Sequence, residues 1–127
     1  MTAHAPAVRT VPLAARLGVA VIAAAVVNTL VALVAGALDD GGIGMGLTPA
    51  NYLPATLVGV AVGAAGWTLV RRYAPGALRI VVPAVLAVTW VPDLLLLTMA
   101  ATAANVAGLM LMHAAVATAV VLAMREA

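Results

Sequence analysis

Residues 17–38 read LGVAVIAAAVVNTLVALVAGAL, an apolar run with no charged residue and two polar ones, Asn28 and Thr29. A helix needs about 20 apolar residues to cross the hydrocarbon core of a bilayer, because each residue advances about 1.5 Å. This run is also longer than the apolar segment of about 7–15 residues that is typical of a cleaved signal peptide. We therefore expect it to form a transmembrane helix.

Three further runs meet the same length requirement. They extend over about residues 52–70, 80–100 and 104–124, and an outer loop at 39–51 separates the first two runs. Apolar residues make up 66% of the chain and charged residues 8%, which is too little charge to cover the surface of a water-soluble domain. The sequence thus predicts an all-α fold, a polytopic four-transmembrane-helix bundle in which residues 1–127 form a single membrane domain.

The arginines predict the orientation of this bundle. They lie before the first run, between the second and third runs, and after the fourth, at Arg9, Arg16, Arg71, Arg72, Arg79 and Arg125. All six fall on one side if the chain crosses the membrane four times, and the positive-inside rule makes that side cytoplasmic. We expect an N-in/C-in protein of the cell membrane, with a loose cytoplasmic tail at residues 1–11. Six scattered arginines are too few for a nucleic-acid-binding surface.

Asp93 is the most informative polar residue, since it lies about 20 Å into the third helix from its cytoplasmic end. An acid at the membrane centre costs about 2.5–3.5 kcal/mol, and no Lys or Arg lies at a similar depth. Burial without a cation favours the neutral acid, which has a proton to donate. Pro92 is expected to kink the helix beside the acid and leave room for a cavity. We interpret Asp93 as a candidate general acid; a structural hydrogen bond to a neighbouring helix is the alternative.

His113 is the second candidate catalytic residue. It lies near the middle of the fourth helix, which is the hairpin partner of the third, so a contact with Asp93 is expected. A neutral imidazole can orient the acid or accept its proton, and Asn28, at a similar depth, is another candidate to orient it. Haem ligation is a less favoured role for His113, because one intramembrane histidine offers haem a single axial ligand. The chain has no Cys, no metal-ligand cluster and no phosphate-binding loop, so we expect no metal or cofactor.

The other polar side chains predict a substrate cavity in the outer half of the bundle. Trp90 lies one helical turn before Asp93 and is expected to line the cavity and stabilise positive charge. Asn28, Asn105 and Tyr52 complete the predicted substrate-binding set. The cytoplasmic halves of the helices are mostly Ala, Val and Leu, whereas a channel or proton path needs polar groups at every depth.

Small residues at a spacing of four mark one face of the second helix, at Ala55, Gly59 and Gly63. Such residues let two helix backbones approach closely. The stripe predicts either packing inside this bundle or a homo-oligomer that associates through Gly59 and Gly63.

Two resemblances extend this interpretation. The whole chain is similar to an actinobacterial family of small four-helix membrane proteins of unknown function, in the loop after the first helix, the proline-containing third helix and the segment LMLMH at 109–113. In architecture, size and its intramembrane acid, the chain also resembles the small membrane-bound terpene cyclases of bacterial indole-sesquiterpenoid pathways. The second resemblance implies that Asp93 protonates a farnesyl-like chain.

The leading hypothesis is an enzyme of the isomerase or lyase type that acts on a lipophilic, isoprenoid-like substrate taken from the lipid bilayer. Asp93 would protonate an alkene or epoxide, and His113 or Asn28 would orient the acid. One alternative is a non-catalytic small membrane protein that binds a lipid or a partner helix. An oligomeric proton-coupled transporter is a third possibility, disfavoured by the apolar cytoplasmic halves.

Topology can be tested with reporter fusions. Because every arginine lies on the predicted cytoplasmic side, reporters fused at the N-terminus, at Pro75 and at the C-terminus should all report cytoplasm. A reporter at Gly42 should report the opposite side. An external signal at Pro75 would contradict the predicted topology.

Overall fold

A computed structural model describes residues 11–125, and four long helices account for most of them. The helices are α1 (Leu13–Leu38), α2 (Pro49–Tyr73), α3 (Leu78–Leu95) and α4 (Ala103–Met124), and the short 3₁₀ helices Pro75–Ala77 and Leu96–Met99 flank α3. All four, with α3 extended by its 3₁₀ turns, are long and apolar enough to cross a membrane. The predicted all-α fold with four membrane-length helices is confirmed. Arg9 and the rest of the predicted tail up to residue 10 lie outside the described residues.

Several helices begin earlier in the chain than the apolar runs suggest. Pro12 directly precedes α1, and Pro49 is the first residue of α2, a position where the missing proline N–H removes no helical hydrogen bond. The loop between α1 and α2 therefore ends at Thr48, and residues 49–51, which we expected in the loop, are helical. At the start of α4, the Thr102 hydroxyl oxygen accepts a hydrogen bond from the Asn105 backbone N–H at 3.1 Å, which caps the helix.

The central helix of the bundle is α4, because it packs against each of the other three. Its most extensive interface is with α1, and within the described part of the chain the backbones of α1 and α3 do not approach each other closely. The consecutive helices α2 and α3 barely touch each other. Of the described residues of α3, Asp93 alone is buried. Helix α3 is thus attached to the bundle mainly through α4, and a space remains between α2 and α3.

Small side chains build the interface between α1 and α4. The buried face of α1 is made of four alanines and one asparagine, Ala20, Ala24, Asn28, Ala32 and Ala35. Gly108 of α4 packs against this face, and a Cβ atom added to Gly108 would lie 2.7 Å from the Cβ of Ala35. Lipid tails are as apolar as the side chains, so helices in a membrane associate through such close packing and not through a hydrophobic drive.

The small stripe of α2 also packs against α4. A Cβ atom added to Gly63 would lie 2.9 Å from a methyl carbon of Val120, and one added to Gly59 would lie 3.1 Å from a methyl carbon of Val116. The stripe thus makes helix contacts within the chain, which was one of its two predicted roles. Association of two copies through Gly59 and Gly63 stays a prediction.

Substitution of Gly108 should test the α1–α4 interface. We expect Gly108→Ala to lower the melting temperature of the protein in detergent, because the new methyl group collides with Ala35. Gly36→Ala is the matched control, since nothing lies within 4 Å of a Cβ at Gly36 and Ala is favoured over Gly in a helix by about 1 kcal/mol. Thermal unfolding followed by circular dichroism measures both, and equal melting temperatures would contradict the close approach.

Candidate functional site

A groove of about 510 Å³ fills the space between α2 and α3, with α4 as its floor. Pockets of about 300–1,000 Å³ are typical of small-molecule sites. Apart from Trp67, the polar side chains that line it lie towards the end of the bundle closed by loop 39–48, here called the loop end; they are Asn28, Asn51, Tyr52, Thr56, Thr89 and His113. Towards the opposite end, where the described arginines lie and here called the arginine end, the lining is aliphatic or glycine apart from Trp67.

His113 and Asp93 form a close pair beside this groove. The Nδ1 atom of His113 lies 2.6 Å from Oδ2 of Asp93. The side chain of His113 is 40% exposed and that of Asp93 is 7% exposed. His113 is one of the described residues that line the groove, whereas Asp93 is not. Because Asp93 engages Nδ1, Nε2 is the ring nitrogen left to contact a molecule in the groove.

A second polar contact beside this pair fixes the register of α3 on α4. The indole N–H of Trp90 donates a hydrogen bond to the backbone carbonyl of Met110 at 3.0 Å. The two contacts involve residues one helical turn apart on each helix, Trp90 and Asp93 on α3 and Met110 and His113 on α4. Trp90 was predicted to line the cavity, but it is not among the described residues that line the groove. Its ring N–H binds the backbone of α4.

Asn28 is one of the residues that line the groove, and its side-chain oxygen is unsatisfied. Its side-chain nitrogen donates to Thr56 Oγ1 at 2.8 Å, and the Thr56 hydroxyl donates in turn to the Tyr52 carbonyl at 2.7 Å. The amide NH₂ must therefore face Thr56, and the buried Oδ1 of Asn28 has no hydrogen-bond partner among the described residues. An unpaired buried acceptor costs about 1–3 kcal/mol. A hydrogen-bond donor on a bound molecule would remove this cost.

Asn28 bonds α2 and not Asp93, so it does not fill the predicted role of orienting the acid. Tyr52 does line the groove, as predicted, and its hydroxyl donates to Thr29 Oγ1 at 3.2 Å. Sequence reasoning omitted Thr56, which links Asn28 to α2. The signal was present, because Thr56 lies four residues after Tyr52 and three before Gly59, on the same helix face.

Asn105, predicted to bind substrate, lies outside the groove and holds the loop. It is fully buried, its Oδ1 accepts from the Met45 backbone N–H at 2.9 Å, and its Nδ2 donates to the Met45 carbonyl at 2.8 Å. The Asp39 carboxylate accepts a hydrogen bond from the Gly44 backbone N–H at 2.9 Å and another from the Thr102 hydroxyl. These contacts hold loop 39–48 against the start of α4.

The chain matches no protein-family model, no curated protein and no solved structure. Within residues 11–125, no three His, Cys, Asp or Glu side chains group closely enough to hold a metal ion. The site therefore consists of an apolar groove, a histidine backed by a carboxylate and an unpaired amide oxygen. A histidine held in this way can exchange a proton with a molecule in the groove.

The role of Asn105 can be tested by hydrogen exchange. Asn105→Leu removes both hydrogen bonds to Met45, each worth about 0.5–1.5 kcal/mol, so the Met45 amide should exchange at least about 10-fold faster. Asn51→Leu is the control, because Asn51 lies exposed in the first turn of α2. Unchanged protection of Met45 in Asn105→Leu would show that other contacts hold the loop.

Proposed function

We propose that the protein is a membrane-embedded acid–base enzyme that binds a lipophilic, isoprenoid-like molecule in the groove and transfers a proton to it through His113. The observation that carries the proposal is the 2.6 Å contact between His113 and Asp93, in which the histidine is the partner that lines the groove. A positioned general acid or base contributes about 10²–10⁴-fold to a reaction rate.

In this proposal the two residues exchange the roles expected from the sequence. Asp93 fixes the orientation of the imidazole ring and stabilises its protonated form, as the buried aspartate of a hydrolase triad does. The Nε2–H of protonated His113 donates to the substrate. The substrate cation then loses a proton to the same nitrogen, which gives the neutral product and returns the protein to its starting state.

The acid strength of the donor favours one type of substrate. An imidazolium is a weaker acid than a neutral carboxylic acid, and an epoxide oxygen accepts a proton more readily than an isolated alkene. Protonation of the oxygen lets the C–O bond open while a neighbouring alkene attacks the carbon. This attack closes a ring, so we propose cyclisation as the reaction, and in this proposal Asn28 Oδ1 accepts a hydrogen bond from a substrate hydroxyl.

The bundle also gives a lipophilic molecule a way in. Helices α2 and α3 barely touch, so a chain dissolved in the bilayer can pass between them. The apolar lining towards the arginine end suits a hydrocarbon chain, and the polar groups lie at the loop end. By the positive-inside rule we place the arginine end on the cytoplasmic side of the cell membrane.

Lipid binding without catalysis is the second candidate function. The unpaired oxygen of Asn28 favours a bound ligand whether or not a reaction follows. Turnover distinguishes the two functions.

The test uses the terminal epoxide of farnesol and the purified protein, with cyclic isomers detected by gas chromatography and mass spectrometry. Asp93→Asn keeps the size of the side chain and can still accept a hydrogen bond from His113. We expect it to fold and to lose at least about 100-fold in rate, because the charge that stabilises the imidazolium is gone. His113→Gln should lose more, because the transferable proton itself is removed.

Thr118→Val is the control for this experiment. Thr118 lies on the same helix, is exposed, and bonds only the carbonyl of Ala114 among the described residues, so its substitution should leave the rate unchanged. Full turnover by both site variants would contradict the acid–base role and leave lipid binding as the better account.

A further inference from the structure

A second cavity, of about 330 Å³, lies at the arginine end of the bundle. It is lined by Leu13, Trp67, Thr68, Arg71, Arg72 and Met124. Trp67 also lines the groove, so the two spaces adjoin at this side chain. No carboxylate of residues 11–125 forms a salt bridge with Arg71 or Arg72. Both arginines are exposed, and the guanidinium of Arg72 lies 5.5 Å from the centroid of the Tyr73 ring, a stacking contact that uses the face of the guanidinium and not its N–H groups.

The side chain of Trp67, which lines both cavities, carries an unpaired donor. The indole Nε1 of Trp67 is buried and has no hydrogen-bond partner within the described part of the chain. A buried N–H without an acceptor is as costly as an unpaired oxygen. Two adjacent arginines and an N–H donor form a set that suits phosphate, because the planar guanidinium binds two phosphate oxygens at once. Basic pockets between transmembrane helices are known sites for phosphate headgroups.

The spacing along α4 sets the length of the molecule that would join the two sites. Met124 lines the second cavity and lies 11 residues after His113, which is about 16 Å along the helix axis. An extended chain advances about 1.2 Å per bond, as a stretched backbone does, so about 13 bonds cover this distance. A single chain of about a dozen carbons therefore reaches from the arginines to His113.

We infer that Arg71 and Arg72 bind the phosphate group of a single-chain phosphate ester whose hydrocarbon chain runs along the groove to His113. The inference rests on the proposed function for the use of the groove, and it adds the headgroup, the chain length and the direction in which the substrate lies. The aliphatic lining of the groove contacts the chain, and its far end is the part presented to the histidine.

Dodecyl phosphate tests this binding site without any reaction, because it has the headgroup and the length but no alkene or epoxide. The protein, reconstituted in phosphatidylcholine nanodiscs, is titrated with radiolabelled dodecyl phosphate and, separately, with dodecanol. We expect the phosphate ester to bind at least about 10-fold more tightly than the alcohol. Equal affinity for the two ligands would overturn the inference.

Two double arginine variants distinguish a specific binding site from a general effect of positive surface charge. The double variant Arg71→Gln/Arg72→Gln should lose the preference for phosphate, whereas Arg79→Gln/Arg125→Gln should keep it. The second variant removes the same charge from the same end but from residues that do not line the cavity. An equal loss in both would overturn the inference. If the first double variant does not insert, the single variants Arg71→Gln and Arg72→Gln are measured, and each is expected to weaken the preference.

Competition identifies the source of the phosphate group. Inorganic phosphate at the same concentration should not displace dodecyl phosphate, because it lacks the chain, and nanodiscs of phosphatidylglycerol should leave the affinity within about threefold. Displacement by either competitor would overturn the single-chain assignment. Failure of these experiments leaves the turnover test of His113 untouched, and loss of turnover in His113→Gln leaves phosphate binding unchanged.

Discussion

The close approach of α1 and α4 at Gly108 and Ala35 is the contact on which the rest of the bundle depends. In a bilayer, moving a leucine from the lipid into the protein core gains little free energy, because the lipid tails around it are equally apolar. Helices must then come close enough for dense packing, and the alanine face of α1 together with Gly108 permits this. The packing of α1 against α4 fixes the position of α4, and the glycine stripe of α2 packs against α4 as well. The large side chains are left to face outwards, where they meet lipid.

Helix α3 follows a different principle, and the groove is the result. It has no small stripe packed in the core, and within the part of the chain described, Asp93 is its one buried residue. Two polar contacts, from Asp93 to His113 and from Trp90 to Met110, hold it on α4. A helix held along one edge by polar contacts does not close against its other neighbour. The space between α2 and α3 therefore remains open as an apolar groove that contains a histidine.

The two ends of the groove have different chemistry, which gives a bound molecule a direction. Towards the loop end lie His113 and the unpaired oxygen of Asn28, beneath a loop held by Asn105. Towards the other end the lining is aliphatic as far as Trp67, beyond which Arg71 and Arg72 line the second cavity. A molecule with one charged end and one reactive end fits this arrangement. The proposed substrate combines both features in a single extended chain.

The sequence by itself determined the four membrane-length helices, because length and hydropathy are local properties that need no knowledge of packing. It also brought Asp93 and His113 together, since a hairpin with a three-residue link fixes which depths on α3 and α4 meet. Only the tertiary structure decided which partner of the pair faces the groove. Side-chain direction depends on how each helix rotates about its axis, and neither hydropathy nor spacing fixes that rotation in a helix that is apolar on all sides. For the same reason Asn105 and Trp90, both predicted to bind substrate, proved to be bound to the loop and to α4.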